Sequence, residues 1–198
     1  MALRNVRIYG DEILKKKCRP VQMMTPRTKL LIHDMLDTMY DANGVGLAAP
    51  QVGVLKRIVV IDVSGAEEET ENGNGSDNGD MIEDTGINAN ENMDGAADAD
   101  TAAESGGPYV LINPEILETA GEQTGQEGCL SLPGQAGNVT RPEYVKVKAL
   151  DENMKEFVLE GKGLLARAIC HECDHLEGIM YVEKVEGDLF DVTDEAED

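Results

Sequence analysis

Two stretches of the chain repeat apolar residues at the spacing of an α-helix. Residues 25–41 carry an apolar residue at every third or fourth position, with Thr25 as a capping residue and Pro26 at the first helical position. Residues 161–177 favour a second helix, which Gly178 ends. The pattern therefore predicts one helix near the start of the chain and one near its end.

Shorter stretches have the composition or the two-residue period of β-strands. Residues 57–63 are apolar and β-branched, and residues 109–112 and 115–119 form two short runs that an Asn-Pro pair separates. Residues 143–150 alternate polar and apolar side chains, and a polar turn connects them to residues 155–159. This arrangement predicts a hairpin, but the spacing alone does not fix how the strands and helices pack.

Residues 64–107 separate the two patterned halves. They hold 13 acidic residues, no Lys or Arg and no aromatic residue. Such a segment buries too little apolar surface to offset the entropy that ordering costs. We expect a disordered insert, and an acidic arm that binds a basic partner is the alternative.

The charge of the chain bears on its partners and its compartment. The formal net charge is −22, and outside the insert 26 acidic residues stand against 17 basic ones. Phosphate binding requires clustered Lys and Arg, so we expect no direct nucleic-acid partner. Because the sequence has no apolar run of membrane-spanning length and no export signal, we expect a cytoplasmic protein with no membrane association, whose four cysteines are thiols.

The strongest chemical signal is a His-Glu-x-x-His pattern at residues 171–175. On a helix, His171 and His175 lie on one face, so both imidazoles can bind one metal ion. Glu172 is turned by about 100° from His171, close enough to reach a metal-bound water without being a ligand. A buried pair of hydrogen-bonded histidines is the alternative interpretation.

A catalytic metal site commonly has three protein ligands and one open position. A cysteine, Cys129, lies upstream in a Gly- and Pro-bounded segment, and its thiolate could supply the third bond. Downstream of the motif, Glu177, Glu183 and Glu186 are also present, but no further histidine follows.

Cys170 and Cys173 also form a Cys-x-x-Cys pair, which is typical of redox sites. Such a pair usually lies at a helix N-terminus, where the helix dipole lowers the thiol pKa. Here helix-favouring residues precede the pair, and Cys173 lies about 200° around the helix from His171. We therefore expect Cys173 to face away from the metal.

Three sequence blocks occur in order: GVGLAAPQ at 44–51, EGCLS at 127–131 and HECDHLEG at 171–178. Together they resemble the peptide deformylase family, and the resemblance covers roughly residues 1–63 and 109–185. It implies an α+β fold in which β-sheets pack around a central metal-binding helix that carries the His-Glu-x-x-His motif.

The resemblance also implies a domain organisation and an activity. Residues 1–185 would form a single catalytic domain that the acidic insert at 64–107 interrupts, and residues 186–198 would form an acidic C-terminal tail. The enzyme would hydrolyse the formyl group from the N-terminal formyl-methionine of nascent polypeptides, with a possible transient ribosome association. The cofactor would be one divalent metal ion, Fe(II) by resemblance, although the ligand types alone suggest Zn(II), and Ni(II) or Co(II) are possible.

Eight residues take roles by resemblance. They are the metal ligands Cys129, His171 and His175, the catalytic residues Glu172, Gln51 and Leu130, and the substrate-binding residues Val45 and Gly46. Glu172 would be the general base and acid, while the Gln51 side chain and the Leu130 backbone N–H would donate hydrogen bonds to the formyl oxygen. Two positions depart from the family pattern: Cys170 replaces a frequent Gln, and Arg167 stands where some relatives have an apolar residue near the methionine pocket.

Two other functions remain open at this stage. One is a metallopeptidase that uses the same motif to cleave internal peptide bonds, and the other is a non-catalytic protein that binds formyl-methionine. Gln51 and Cys129 disfavour the peptidase, which needs neither of them. The complete set of site residues disfavours a protein that only binds.

Overall fold

The computed structural model describes residues 2–65 and 107–192. Most of the predicted acidic insert, residues 66–106, lies outside the described residues, so its disorder stays a prediction. In chain order the principal elements are α1 (Pro26–Asp41), β1 (Gly46–Ala48), β2 (Ile58–Ile61), β3 (Tyr109–Ala120), β4 (Gln123–Cys129), β5 (Leu132–Arg141), β6 (Tyr144–Leu150), β7 (Glu156–Lys162), α2 (Gly163–Glu177) and β8 (Phe190–Asp191).

The strands form two antiparallel sheets. The larger has the order β1-β2-β3-β6-β7, and the smaller has the order β4-β5-β8. Helix α2 contacts β1, β2, β6 and β7 of the larger sheet and β5 of the smaller one. The expected mixture of helices and sheets is therefore confirmed. Among the described residues, no helix is both long and apolar enough to cross a membrane.

The first helix begins and ends close to the predicted residues. The Thr25 side chain accepts a hydrogen bond from the Thr28 backbone N–H at 3.1 Å, and Pro26 occupies the first turn. The helical repeat buries Ile32, Met35 and other apolar residues in one cluster with residues of β1 and β2. This packing holds α1 beside the strand that carries Gly46 into the site.

The predicted hairpin is confirmed as β6 and β7, which lie at one edge of the larger sheet. Val145, Val147 and Ala149, the apolar residues of the alternating pattern, are buried. They pack in one cluster with Ala166 and Ile169 of α2. The alternation of β6 therefore forms the surface on which the motif-bearing helix lies.

The prediction of two separate strands at 109–112 and 115–119 was wrong. The structure has one strand, β3, with a shift in its pairing with β6 between Ile112 and Glu115. Asn113 adopts φ 52° at this irregularity and exchanges two hydrogen bonds of 2.8 Å with the backbone of Val21. Because the Asn-Pro pair is held within the sheet, it makes an irregularity and does not end the strand.

Of the smaller sheet, the sequence predicted only a strand or loop around Cys129. Its sequence is rich in Gly and Gln and has no regular apolar alternation. Residues 186–192, the first part of the predicted acidic tail, lie along this sheet. The Glu186 N–H donates a hydrogen bond to the backbone carbonyl of Asn138, and β8 pairs with β5.

Helix α2 begins at residue 163 rather than 161 because β7 continues through Lys162. It ends as predicted at Gly178, which has φ 78°. A Cβ atom at Gly178 would lie 2.6 Å from the backbone carbonyl of Lys15, so a larger residue does not fit there. This end of the helix is thereby fixed against the N-terminal segment.

Candidate active site

Two elements bring the predicted metal ligands together. Helix α2 presents His171 and His175 one turn apart, and β4 ends at Cys129. One ligand atom from each residue lies within 4.8 Å of the others, and Cys129 Sγ is 3.3 Å from His175 Nε2. A thiolate and two imidazoles are a common donor set for a divalent transition metal, so these residues fit such an ion.

The orientation of His171 is set by a carboxylate. Its Nδ1 lies 2.9 Å from Glu127 Oε2, and this nitrogen therefore donates its hydrogen to Glu127. In the neutral ring this leaves Nε2 without a proton and able to coordinate a metal ion. A carboxylate behind a histidine ligand is a frequent device for fixing the ring at metal sites.

Glu127 is only 5% exposed and lies at the centre of a buried charge network. Arg141 donates two hydrogen bonds of 2.9 Å to its two oxygens, and Arg167 donates a third of 2.9 Å. Burial alone would raise the pKa of Glu127, but the hydrogen bonds from His171 and Arg141 outweigh it and lower this pKa to about 2. Glu127 is therefore a fixed anion behind His171.

The network extends beyond Glu127 on both sides. Arg141 also donates to Asp174 at 2.5 Å, and Lys184 pairs with the same carboxylate at 2.6 Å. Arg167 donates to the backbone oxygens of three sheet residues, Gln123, Gly125 and Val139. The Arg at position 167 is thus bound to the smaller sheet rather than left unpaired in the cleft.

The electrostatics around the two histidines favour a cation between them. Burial lowers the pKa of His171, but hydrogen bonds to Cys129 and Glu127 more than offset it and raise this pKa to about 10. Burial and the charge on His171 push the pKa of His175 well below its usual range. The anionic neighbours thus stabilise positive charge at His171, where a metal ion would replace the proton, while His175 stays neutral, as metal coordination requires.

Glu172 lies beside the proposed ligands and is buried. It is 4% exposed, and its Oε2 atom has no hydrogen-bond partner among the described residues. Burial raises the pKa of Glu172 to about 7. A Cβ atom at Gly46 would lie 2.5 Å from Glu172 Oε1, so only glycine allows the carboxylate to occupy this position. Such a carboxyl group can both take up and release a proton near neutral pH.

Gln51 is fully buried next to the proposed ligands. Its Oε1 accepts a hydrogen bond of 2.8 Å from the Ala48 N–H, which fixes the direction of the amide. Its Nε2 donates to Cys129 Sγ at 3.4 Å and to Ser131 Oγ at 3.2 Å. Leu130 lies in the two-residue connection between β4 and β5, directly after Cys129. Both expected donors therefore lie next to the cluster.

These residues share one cleft of about 590 Å³. Seven of the eight predicted site residues line it: Val45, Gly46, Gln51, Cys129, Leu130, His171 and Glu172. The eighth, His175, lies below this surface and is almost completely buried. The structure thus brings all eight together, and the cleft volume lies within the range typical of small-ligand sites.

The remaining cysteines are not part of the cluster. All four cysteines are free thiols, and Cys173 packs against the apolar cluster under the larger sheet. Burial raises the pKa of Cys173 to about 12 and also raises the pKa of Cys170. Both side chains therefore have the properties of inert core thiols.

Sequence reasoning did not identify the charge network as functional. The EGCLS block contains Glu127, and Arg167 departs from the family pattern. The sequence did not predict that either residue belongs to a network that holds His171. The ion pair between Arg141 and Asp174 could not be predicted, because the two residues are 33 positions apart and no local sequence pattern connects them. The sequence feature that could have indicated the network is Glu127, the acidic residue two positions before Cys129 in the EGCLS block.

Comparison with known proteins agrees with this geometry. The sequence profile of the polypeptide deformylase family matches residues 3–189. The chain is 55% identical to a peptide deformylase of Lachnoclostridium phytofermentans, over 98% of this chain and 95% of the relative. It is 52% identical to a peptide deformylase of Agathobacter rectalis, over 98% of this chain and 96% of the relative.

Solved structures give the same result. A peptide deformylase from Legionella pneumophila matches with a TM-score of 0.71 and 38% identity, covering 93% of this chain and 87% of that one. A peptide deformylase from Synechococcus elongatus in complex with actinonin matches with a TM-score of 0.70 and 35% identity, over 93% and 79% of the two chains. The chain belongs to the peptide deformylase family, metal-dependent hydrolases that remove the formyl group from the N-terminal methionine of newly made proteins.

Proposed function

We propose that Cys129, His171 and His175 hold the metal ion of this deformylase. The observation that carries the proposal is the convergence of these three donors beside Glu172, a buried carboxyl group with one oxygen that no described residue hydrogen-bonds. A divalent metal ion held there would act as a Lewis acid, which activates water and polarises the formyl carbonyl. Glu127 would support the site by fixing the ring of His171.

Glu172 is proposed as the proton carrier of the reaction. It would take a proton from the attacking water and then deliver it to the amine nitrogen as the C–N bond breaks. Its burial, and a pKa of about 7, support a group that serves first as base and then as acid. The absence of a hydrogen-bond partner on Oε2 among the described residues leaves that oxygen free to bind water.

Two donors are proposed to stabilise the negative charge that develops on the formyl oxygen. The Leu130 backbone N–H and Gln51 Nε2 both lie next to Cys129. Since both hydrogens of Gln51 Nε2 already have acceptors, the formyl oxygen would share one of them or displace the contact with Ser131. Each such donor is typically worth about 3 kcal/mol of transition-state stabilisation.

The methionine side chain would occupy the inner part of the cleft. Val45 and Gly46 line it and are proposed to flank the substrate, Gly46 through its backbone. Leu164 and Ala168 of α2 also line it and supply apolar surface. Arg167 lines the cleft as well, but its guanidinium is bound to Glu127 and to sheet carbonyls, so it presents no unpaired charge to the thioether.

The proposal also covers the identity of the metal, the location of the enzyme in the cell and its relation to the ribosome. Fe(II) is the metal we propose, on the family resemblance, while the thiolate and imidazole ligands suit Zn(II) as well. The substrate is a nascent formyl-methionyl polypeptide, which places the enzyme in the cytoplasm. A transient association with the ribosome would bring the enzyme to this substrate as it emerges.

The variant Glu172→Ala tests the assignment. We expect full metal occupancy and a loss of formate release of about 10²–10⁴-fold, because Glu172 moves a proton and does not coordinate. Metal content and formate release are measured on the same preparation, with the exposed Glu122→Ala as the control. Wild-type turnover in Glu172→Ala contradicts the catalytic role, and loss of metal contradicts the separation of Glu172 from the ligands.

A further inference from the structure

Within the described residues, the C-terminal segment reaches the cleft. Its strand β8 pairs Asp191 with Gln135 and Phe190 with Ala136, which lie near the start of β5. The Val192 N–H continues this pairing by donating to the Gly134 carbonyl at 2.9 Å. Gly134 and Gln135 line the cleft, and Val192 lines it with them.

The segment is anchored by side chains as well as by backbone. Val185 and Leu189 pack over Gly137, where an added Cβ atom would lie 2.6 Å from Val185 and 3.2 Å from Leu189. The Gln135 side chain donates a hydrogen bond to the Asp191 carboxylate across the two strands. Val192 therefore directly follows a strand that is anchored by both backbone and side-chain contacts.

Val192 is one of several apolar residues that line the cleft, and some of them are accessible. Val192 is 51% exposed, and Val45, which also lines the cleft, is 37% exposed. Val6, Leu132 and Pro133 line the same cavity. Apolar side chains that stay accessible within a cleft favour contact with an apolar ligand.

We propose that β8 places Val192 as a binding surface for the residues that follow formyl-methionine, with a preference for apolar side chains. This inference rests on the proposed function. The substrate is a polypeptide whose first residue enters the cleft, so the next residues must leave it across its outer part. An extended chain advances about 3.3 Å per residue, so residues after the first, and not the first itself, would reach the outer part of the cleft.

Three substrates and three variants, one of which is a control, test the proposal. The substrates are formyl-methionine, formyl-Met-Leu-Leu-amide and formyl-Met-Ser-Ser-amide. The variant Val192→Ser removes the apolar contact, and Leu117→Ser is the matched control, because Leu117 is 48% exposed on β3 and does not line the cleft. Val192→Thr, which keeps the shape of valine, repeats the test with a smaller change.

Wild type is expected to have a lower KM for the Leu-Leu peptide than for the Ser-Ser peptide. Val192→Ser should lower kcat/KM for the Leu-Leu peptide by about fivefold through KM, with Val192→Thr intermediate. Formyl-methionine, the Ser-Ser peptide and the Leu117→Ser control should be unaffected. Equal kcat/KM for the Leu-Leu peptide in wild type and Val192→Ser overturns the proposal, and so does an equal loss on all three substrates. Absence of formate release by wild type on every substrate would contradict the proposed function instead.

Discussion

Replacing Glu127 with Gln tests the buried network behind the metal site. The carboxylate accepts four hydrogen bonds, two from Arg141, one from Arg167 and one from His171. A Gln oxygen can keep the two that reach Oε1, but its NH₂ group would face the donors of Arg141 and His171. Two hydrogen bonds to a charged acceptor are lost, at about 1.5–3 kcal/mol each.

The expected loss in the free energy of unfolding is therefore about 3–5 kcal/mol, the range in which breaking a buried ion pair usually falls. Metal affinity should also fall by about 10–100-fold, because the ring of His171 loses the carboxylate that fixes it. Arg141 keeps its bond to Asp174, so the variant should still fold at low temperature.

Urea unfolding measures the first effect and competition with a chelator measures the second. Unfolding is followed on metal-free protein, so that weaker metal binding does not contribute to the stability difference. The matched control is Glu122→Gln, since Glu122 is exposed at the turn between β3 and β4. A loss below about 1 kcal/mol for Glu127→Gln would refute the network as a stabilising feature.

Four further changes have defined outcomes. Cys129→Ala should lose metal and activity, whereas Cys173→Ser should keep both within several-fold. Metal analysis and formate release measure the two effects. The reverse result would contradict the proposed ligand set. Gly46→Ala should lower kcat at least tenfold with metal retained, because its Cβ would lie 2.5 Å from Glu172 Oε1; activity within twofold of wild type would exclude this steric role. Joining the chain across residues 66–106 with a short Gly-Ser link should keep kcat/KM within about threefold, and a hundredfold loss in a folded, metal-bound variant would contradict a dispensable insert.

The predictable parts of the fold are those in which the local pattern and the packing agree. The start of α1 followed from Thr25 and Pro26, and the end of α2 followed from Gly178. The alternation of residues 143–150 predicted the β6–β7 hairpin, because one face of β6 lies under α2. In each case the residues near in sequence carry the physical cause.

The unpredicted parts depend on residues that are distant in sequence. Strands β4 and β5 have no apolar alternation, since buried charges and glycines fill their inner side. Arg141 and Arg167 meet at Glu127 from different elements, and no spacing rule connects them. The eight site residues were expected from the resemblance to a family, while the network that holds His171 became visible only in the structure.

The most direct measurement is formate release from a formyl-methionyl peptide by protein purified without oxygen and analysed for metal. The control substrate is the same peptide with an acetyl group in place of the formyl group. One formate should appear for each new amino terminus, the acetylated peptide should stay intact, and internal peptide bonds should not be cleaved. Metal-loaded protein that releases no formate, or that cleaves internal bonds of both peptides, would contradict the deformylase assignment.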